Sequence, residues 1–150
     1  FQAAGQCGAI LSNASDEEEL ALTRFGMHMG TAFQLIDDVL DYAGDSESLG
    51  KNIGDDLAEG KPTLPLIYAL EHGSAEQAEL IRQALADEQL QDEKLNKVIK
   101  IVQECGALDY ARKLAKSESD QALAYLDVLP PSEYRDALTA MVNFSTGRSS

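Results

Sequence analysis

The stretch from Phe25 to Ala43, FGMHMGTAFQLIDDVLDYA, constrains this chain more than any other, because its only formally charged side chains are Asp37, Asp38 and Asp41. Leu22, Phe25, Met29, Ala32, Ile36, Val39 and Ala43 recur at spacings of three and four, which predicts one buried stripe on a helix. At about 100° per residue, Gln34, Asp37 and Asp41 fall within roughly 60° of one another on a second stripe. Asp38 stands at that stripe's margin, and Met27, Leu35 and Tyr42 occupy the remaining side. A run of acids is ordinarily a solvated face, but a solvated face on so long a helix would also carry Lys, Glu or Arg. Buried carboxylates without cations are too unfavourable to be incidental. The three aspartates therefore require positive partners, and an all-oxygen ligand set favours hard ions such as Mg2+. Gly26 and Gly30, four apart on the same helix, predict close helix packing, with room for a ligand beside the aspartates as a second reading of Gly30.

The segment that follows supplies the complement. Residues 44–62, GDSESLGKNIGDDLAEGKP, read as a polar, glycine-punctuated loop. Lys51 and Lys61 are the only lysines or arginines between Arg24 and Arg82, each in a Gly-Lys pair, and they flank Asp55, Asp56 and Glu59. Lysine is a point-charge partner for phosphate oxygens, so this combination suggests a metal–diphosphate site. An EF-hand reading of the same loop fails. Counted from Asp45, Leu49 stands at position five and Asp56 at position twelve, where calcium wants an oxygen ligand and a glutamate.

The rest of the chain reads as helices. Phe1 to Leu11 is Ala- and Gly-rich and looks like the end of a helix packed closely on a neighbour. After a break at 12–15, Ser15 and Glu18 form a capping box for the long helix, which Gly44 stops. Thr63 is placed to cap a helix ending at Gly73, with Pro65 in its first turn. Ser74 and Gln77 begin another, to about Leu85; amphipathic helices follow near 92–104 and 107–129. Pro130 and Pro131 break the chain, and Ser132 caps a last helix to about Phe144 or beyond. The expected fold class is all-α, in one domain.

Charge and composition exclude several functions. Twelve basic against 26 acidic residues leave a net charge of −14, which repels phosphate backbones and argues against nucleic-acid binding. No apolar run approaches the roughly 18 residues of a membrane span. Cys7 and Cys105 lie far apart and read as free thiols in a reducing compartment. His28 and His72 are isolated, so a histidine-built zinc site is not expected. The opening FQAAGQCGAIL has neither a start methionine nor the layout of a signal peptide and reads as the middle of an element, so a truncated chain is expected.

GTAFQLIDDVLDY followed by LGKNIGDDLAEGKPTLPLI closely resembles the second aspartate-rich region of trans-isoprenyl (polyprenyl) diphosphate synthases, in the flavour of the bacterial octaprenyl group. The resemblance runs from residue 1 to about Ala69, with a looser helical pattern beyond. It implies a bundle of mostly antiparallel helices around a deep cavity, in which two aspartate-rich motifs face each other and hold Mg2+, or Mn2+ in its place. It makes Asp37 and Asp41 metal ligands and catalytic residues, with Asp38 supporting them directly or through metal-bound water. Gln34, Lys51 and Lys61 would contact the allylic substrate or its diphosphate, Lys51 counting also as catalytic, and Asp56 would be an outer-shell acid. The implied substrates are an allylic prenyl diphosphate and isopentenyl diphosphate. Diphosphate departs from the former, the double bond of the latter attacks the resulting cation, and a proton is lost. The implied whole protein is a cytoplasmic homodimer serving quinone side-chain biosynthesis. The family's first aspartate motif would lie upstream of residue 1, so residues 1–150 represent the C-terminal portion of one synthase domain, expected to be inactive alone. Two rival readings are a non-catalytic subunit of a heteromeric synthase and a terpene cyclase. The first tends to lose its aspartates; the second lacks the GK…GKxTLP loop.

Overall fold

The computed structural model describes residues 1–43, 53–87 and 89–147, and among them there is no β-strand. The helices are α1 (Gln2–Leu11), α2 (Asp16–Ala43), α3 (Asp55–Ala58), α4 (Leu64–His72), α5 (Ala75–Leu85), α6 (Asp92–Glu104), α7 (Ala107–Tyr125) and α8 (Glu133–Gly147), with a 3-10 turn at Leu126–Val128. The fold is all-α, as the periodicity requires.

Local signals set most of the boundaries. Glu18 Oε2 accepts from both the Ser15 amide (2.9 Å) and its hydroxyl (2.8 Å), and Ser15 Oγ accepts from the Glu18 amide at 3.3 Å. Four acids in the first turn of α2 meet the positive end of the helix. The Ser74–Gln77 capping box opens α5, and Ser132 Oγ accepts from the Arg135 amide at 3.2 Å to open α8. The expected loop over 44–62 is corrected in part: Asp55–Ala58 forms one helical turn. Gly54, in the left-handed conformation at φ 83°, turns the chain into it, and Asp55 and Asp56 stand in its first turn. The helix expected over 107–129 gives way to the 3-10 turn after Tyr125.

The chain divides into two compact units, residues 1–36 with 113–150, and residues 37–112. In the first, Phe25 and Met29 of α2 pack with Ala122, Leu126 and Val142. A Cβ at Gly26 would sit 2.6 Å from the Phe1 carbonyl oxygen, and one at Gly5 2.3 Å from that of Leu22. The missing side chains are what let α1 lie against α2. Gly30 belongs to the same contact, with the Phe1 side chain 2.9 Å from where its Cβ would be. Close packing therefore accounts for both glycines. His28 is buried, with Nδ1 2.7 Å from Glu118 Oε2 and its ring stacked on Tyr125. In the second unit, Tyr42, Leu57, Leu66, Ile81, Val98 and Val102 are the fully buried centre of the core.

Candidate functional site

Of the expected stripe on α2, Phe25, Met29, Ala32, Ile36 and Val39 are buried, Leu22 is half-buried and Ala43 is exposed. Burial instead passes to Tyr42, which is completely inaccessible and which helical periodicity places on the far side. The reason is tertiary: residues 37–43 belong to the second unit, whose core gathers around the Tyr42 ring. Asp38 shares this burial at 7% exposure, while Asp37 and Asp41 are half-buried. The aspartate-bearing turns are therefore embedded, which is the condition under which carboxylates require compensation.

Asp41 shows that condition most plainly. Burial, and after it the negative charge of Asp56, pushes its carboxyl up to about 6. The backbone N–H groups of Asp56 and then Asp55 oppose this, that of Asp56 bonding Asp41 Oδ2 at 3.2 Å; separately, Gly54 N–H bonds the main-chain carbonyl of Asp41 at 2.9 Å. The Asp56 carboxylate in turn accepts from Lys61 Nζ at 3.1 Å, and Glu59 lies 2.6 Å from the same ammonium. The Lys61 side chain is 56% exposed and is held above its ordinary pKa by its hydrogen bonds with Glu59 and then Asp56. Thr63, at the N-cap position of α4, makes no side-chain cap; its hydroxyl lies 3.4 Å from the Tyr42 hydroxyl. Burial raises the Tyr42 phenol to about 12, so it remains neutral, and its oxygen accepts from the Thr63 hydroxyl.

The structure thus links Asp41, Asp56 and Lys61 through direct contacts, and places Asp37 and Asp38 one turn earlier on α2. Gln34 falls in the first unit, exposed beside a shallow cleft with Phe1, Gly26 and Gly30. Lys51 lies outside the described residues. Gly54, Tyr42 and Thr63 belong to the site and carry no sequence signal for it beyond the glycine itself.

A divalent cation fits this face by donor chemistry and incompletely by number. The donors are carboxylate oxygens, suited to hard ions. Among the described residues no three His, Cys, Asp or Glu side chains converge into a metal cage. This face can offer part of a coordination shell.

Solved structures define the class. The chain superposes on a polyprenyl synthase from Caulobacter crescentus, complexed with calcium and isoprenyl diphosphate, with a TM-score of 0.89 and 36% identity, covering 100% of this chain and 46% of that one. A decaprenyl diphosphate synthase from Rhodobacter capsulatus gives a TM-score of 0.90 at 31% identity, again over 100% and 46%. The fold is that of the all-α isoprenoid synthases.

Within that class the chain belongs to the polyprenyl synthetase family, whose profile matches residues 1–102. It is 47% identical to the octaprenyl diphosphate synthase of Escherichia coli over 99% of this chain and 46% of that protein. It is 48% identical to an all-trans-nonaprenyl-diphosphate synthase of Rhodobacter capsulatus over 99% and 45%. The chain spans about half the length of the curated relatives it matches.

Proposed function

We propose that this chain carries one side of the active site of an all-trans polyprenyl diphosphate synthase, which transfers an allylic prenyl group to isopentenyl diphosphate. The observation that carries the reading is Asp41. Its carboxylate is half-buried, pushed up to about 6, and sits at the C-terminal end of a helix, where the carbonyls already disfavour negative charge. A cation removes that penalty. Asp37 and Asp41, with Asp38 behind them, would hold Mg2+ and leave open positions for diphosphate oxygens. Bound there, Mg2+ would neutralise charge on the departing diphosphate. Lys61 would add a point charge to the same oxygens once it exchanges Asp56 and Glu59 for them, and Lys51 and Gln34 complete the proposed contacts. Mg2+ rather than the calcium of the Caulobacter neighbour, a homodimeric whole protein, a cytoplasmic setting and a role in quinone side chains belong to the same reading. The names of the octaprenyl and nonaprenyl relatives support the long-chain part of it. No helix among the described residues is long and apolar enough to cross a membrane.

The test is a chimera. This chain replaces the matching C-terminal part of the Escherichia coli octaprenyl relative, and product is assayed with isopentenyl diphosphate, an allylic primer and Mg2+. Elongation by the chimera, its loss in Asp37→Ala and Asp41→Ala, and none from the isolated chain are expected. Robust long-chain product from the isolated chain would sink the half-site reading; an inactive but folded, Mg2+-binding chimera would sink the assigned reaction.

A further inference from the structure

α2 ends without a basic residue in its last turn, although that turn carries Asp41 and lies next to Asp38. Its final carbonyls have no partner within the helix. Later parts of the chain meet them. The Gly54 amide takes the Asp41 carbonyl, and Gln103 Nε2, on α6, donates to the Tyr42 carbonyl at 2.7 Å. These two residues are 61 positions apart in sequence. Val98 and Val102 anchor α6 in the core of this unit, and Gln103 stands beside them as an exposed residue whose side chain reaches back to α2. Nothing about a solvent-facing position on α6 demands glutamine. What it supplies is an uncharged donor at a helix end crowded with negative charge, where a lysine would compete with a bound cation.

We propose that Gln103 is a positioning residue for the aspartate motif: by holding the Tyr42 carbonyl it fixes the last turn of α2 and the direction in which Asp38 and Asp41 present their oxygens. The inference rests on the reading of these aspartates as cation ligands. A loose last turn would let the carboxylates swing toward solvent and scatter the donor set. Gln103 touches neither metal nor substrate in this role and acts only through the helix end.

The experiment uses the isotope-labelled 150-residue chain titrated with Mn2+ alone, following paramagnetic broadening of the amides of residues 37–41. Gln103→Met keeps the length and removes the donor; it is expected to weaken Mn2+ affinity about five-fold, the loss that one hydrogen bond carries, and to speed hydrogen exchange at Gly54. Val98→Ala, which loosens the same helix through its core, is expected to lower the melting temperature and leave Mn2+ affinity unchanged. Gln103→Glu tests charge against position: an added carboxylate acting through its field would tighten the cation, whereas loss of the donor weakens it. Equal affinity in the parent and Gln103→Met, tighter binding in Gln103→Glu, or equal weakening in Val98→Ala overturns the proposal. No broadening in the parent overturns the reading of the aspartates, and the proposal with it.

Discussion

Asp56 donates its backbone N–H to Asp41 Oδ2 at 3.2 Å while its own carboxylate accepts from Lys61 at 3.1 Å. One residue therefore turns a neutral donor toward the aspartate helix and its charge toward a lysine. The Asp41 carboxylate still feels that charge as repulsion, second to the effect of burial, which is why it binds a proton so readily. Its folded-state value, about 6, exceeds the ordinary 3.8. The folded chain thus holds this proton more tightly than the unfolded chain. The contribution to stability is complete below pH 3.8 and is lost as pH rises through about 6. Asp41→Asn keeps an acceptor for the Asp56 amide and removes the charge. It is expected to stabilise the metal-free protein at pH 7 by about 1 kcal/mol, since solvent screening of this half-exposed group cuts the full shift of roughly 3 kcal/mol. Thermal melts should show a rise of about 2–4 °C at pH 7 and little change at pH 4. A lower melting point at pH 7 would contradict this origin for the shift.

Gly54 makes a different demand. It is left-handed at φ 83°, and a Cβ there would meet Ile99 Cδ1 at 2.9 Å and Leu95 Cδ1 at 3.0 Å. Gly54→Ala combines backbone strain with overpacking and is expected to destabilise by about 2–4 kcal/mol. Urea denaturation with an unchanged slope and a lowered midpoint is the measurement. A loss below about 1 kcal/mol would mean that the turn relaxes without consequence.

Buried His28 and half-buried Glu118 pair to tie α2 to α7 within the first unit. His28→Ala removes a ring stacked on Tyr125 and leaves the Glu118 carboxylate without that partner. A loss of about 2–4 kcal/mol is expected. Glu118→Gln keeps a hydrogen-bonding group at 2.7 Å and should cost less than half as much. Chemical denaturation of both variants tests the order, which fails if the glutamine variant is the weaker.

Lys61 is exposed and paired with carboxylates on a turn, so Lys61→Ala is expected to leave the melting temperature unchanged. Its proposed role lies with the ligand. Calorimetric titration with pyrophosphate and Mg2+ should show several-fold weaker binding in Lys61→Ala than in the parent. Unaltered binding would remove Lys61 from the diphosphate contacts.

Local chemistry made much of the fold legible. Ser15 with Glu18 and Ser74 with Gln77 announce two helix starts, and the heptad-like run from Phe25 to Val39 marks a buried face. What the sequence hides is non-local. Tyr42 falls outside the predicted buried stripe because its burial depends on α4 and α6 arriving around it. Thr63 looks like a cap, yet its hydroxyl faces Tyr42, 21 positions earlier. The turn at Asp55–Ala58 depends on Gly54 returning to the Asp41 carbonyl, and no local pattern encodes that return. Gln103 carries no signal at all. In the candidate site, the aspartates stood out by their isolation on an apolar helix, whereas the partners that orient Asp41 are backbone amides, which have no letter in a sequence.

The hydrogen bond between Gly54 N–H and the Asp41 carbonyl has a consequence for which letters position 54 can carry. Proline there would remove the donor and fix φ at about −65°, against the observed 83°. Hydrogen bonding closes the position to proline and shape closes it to alanine, so variation in this turn has to come from its neighbours.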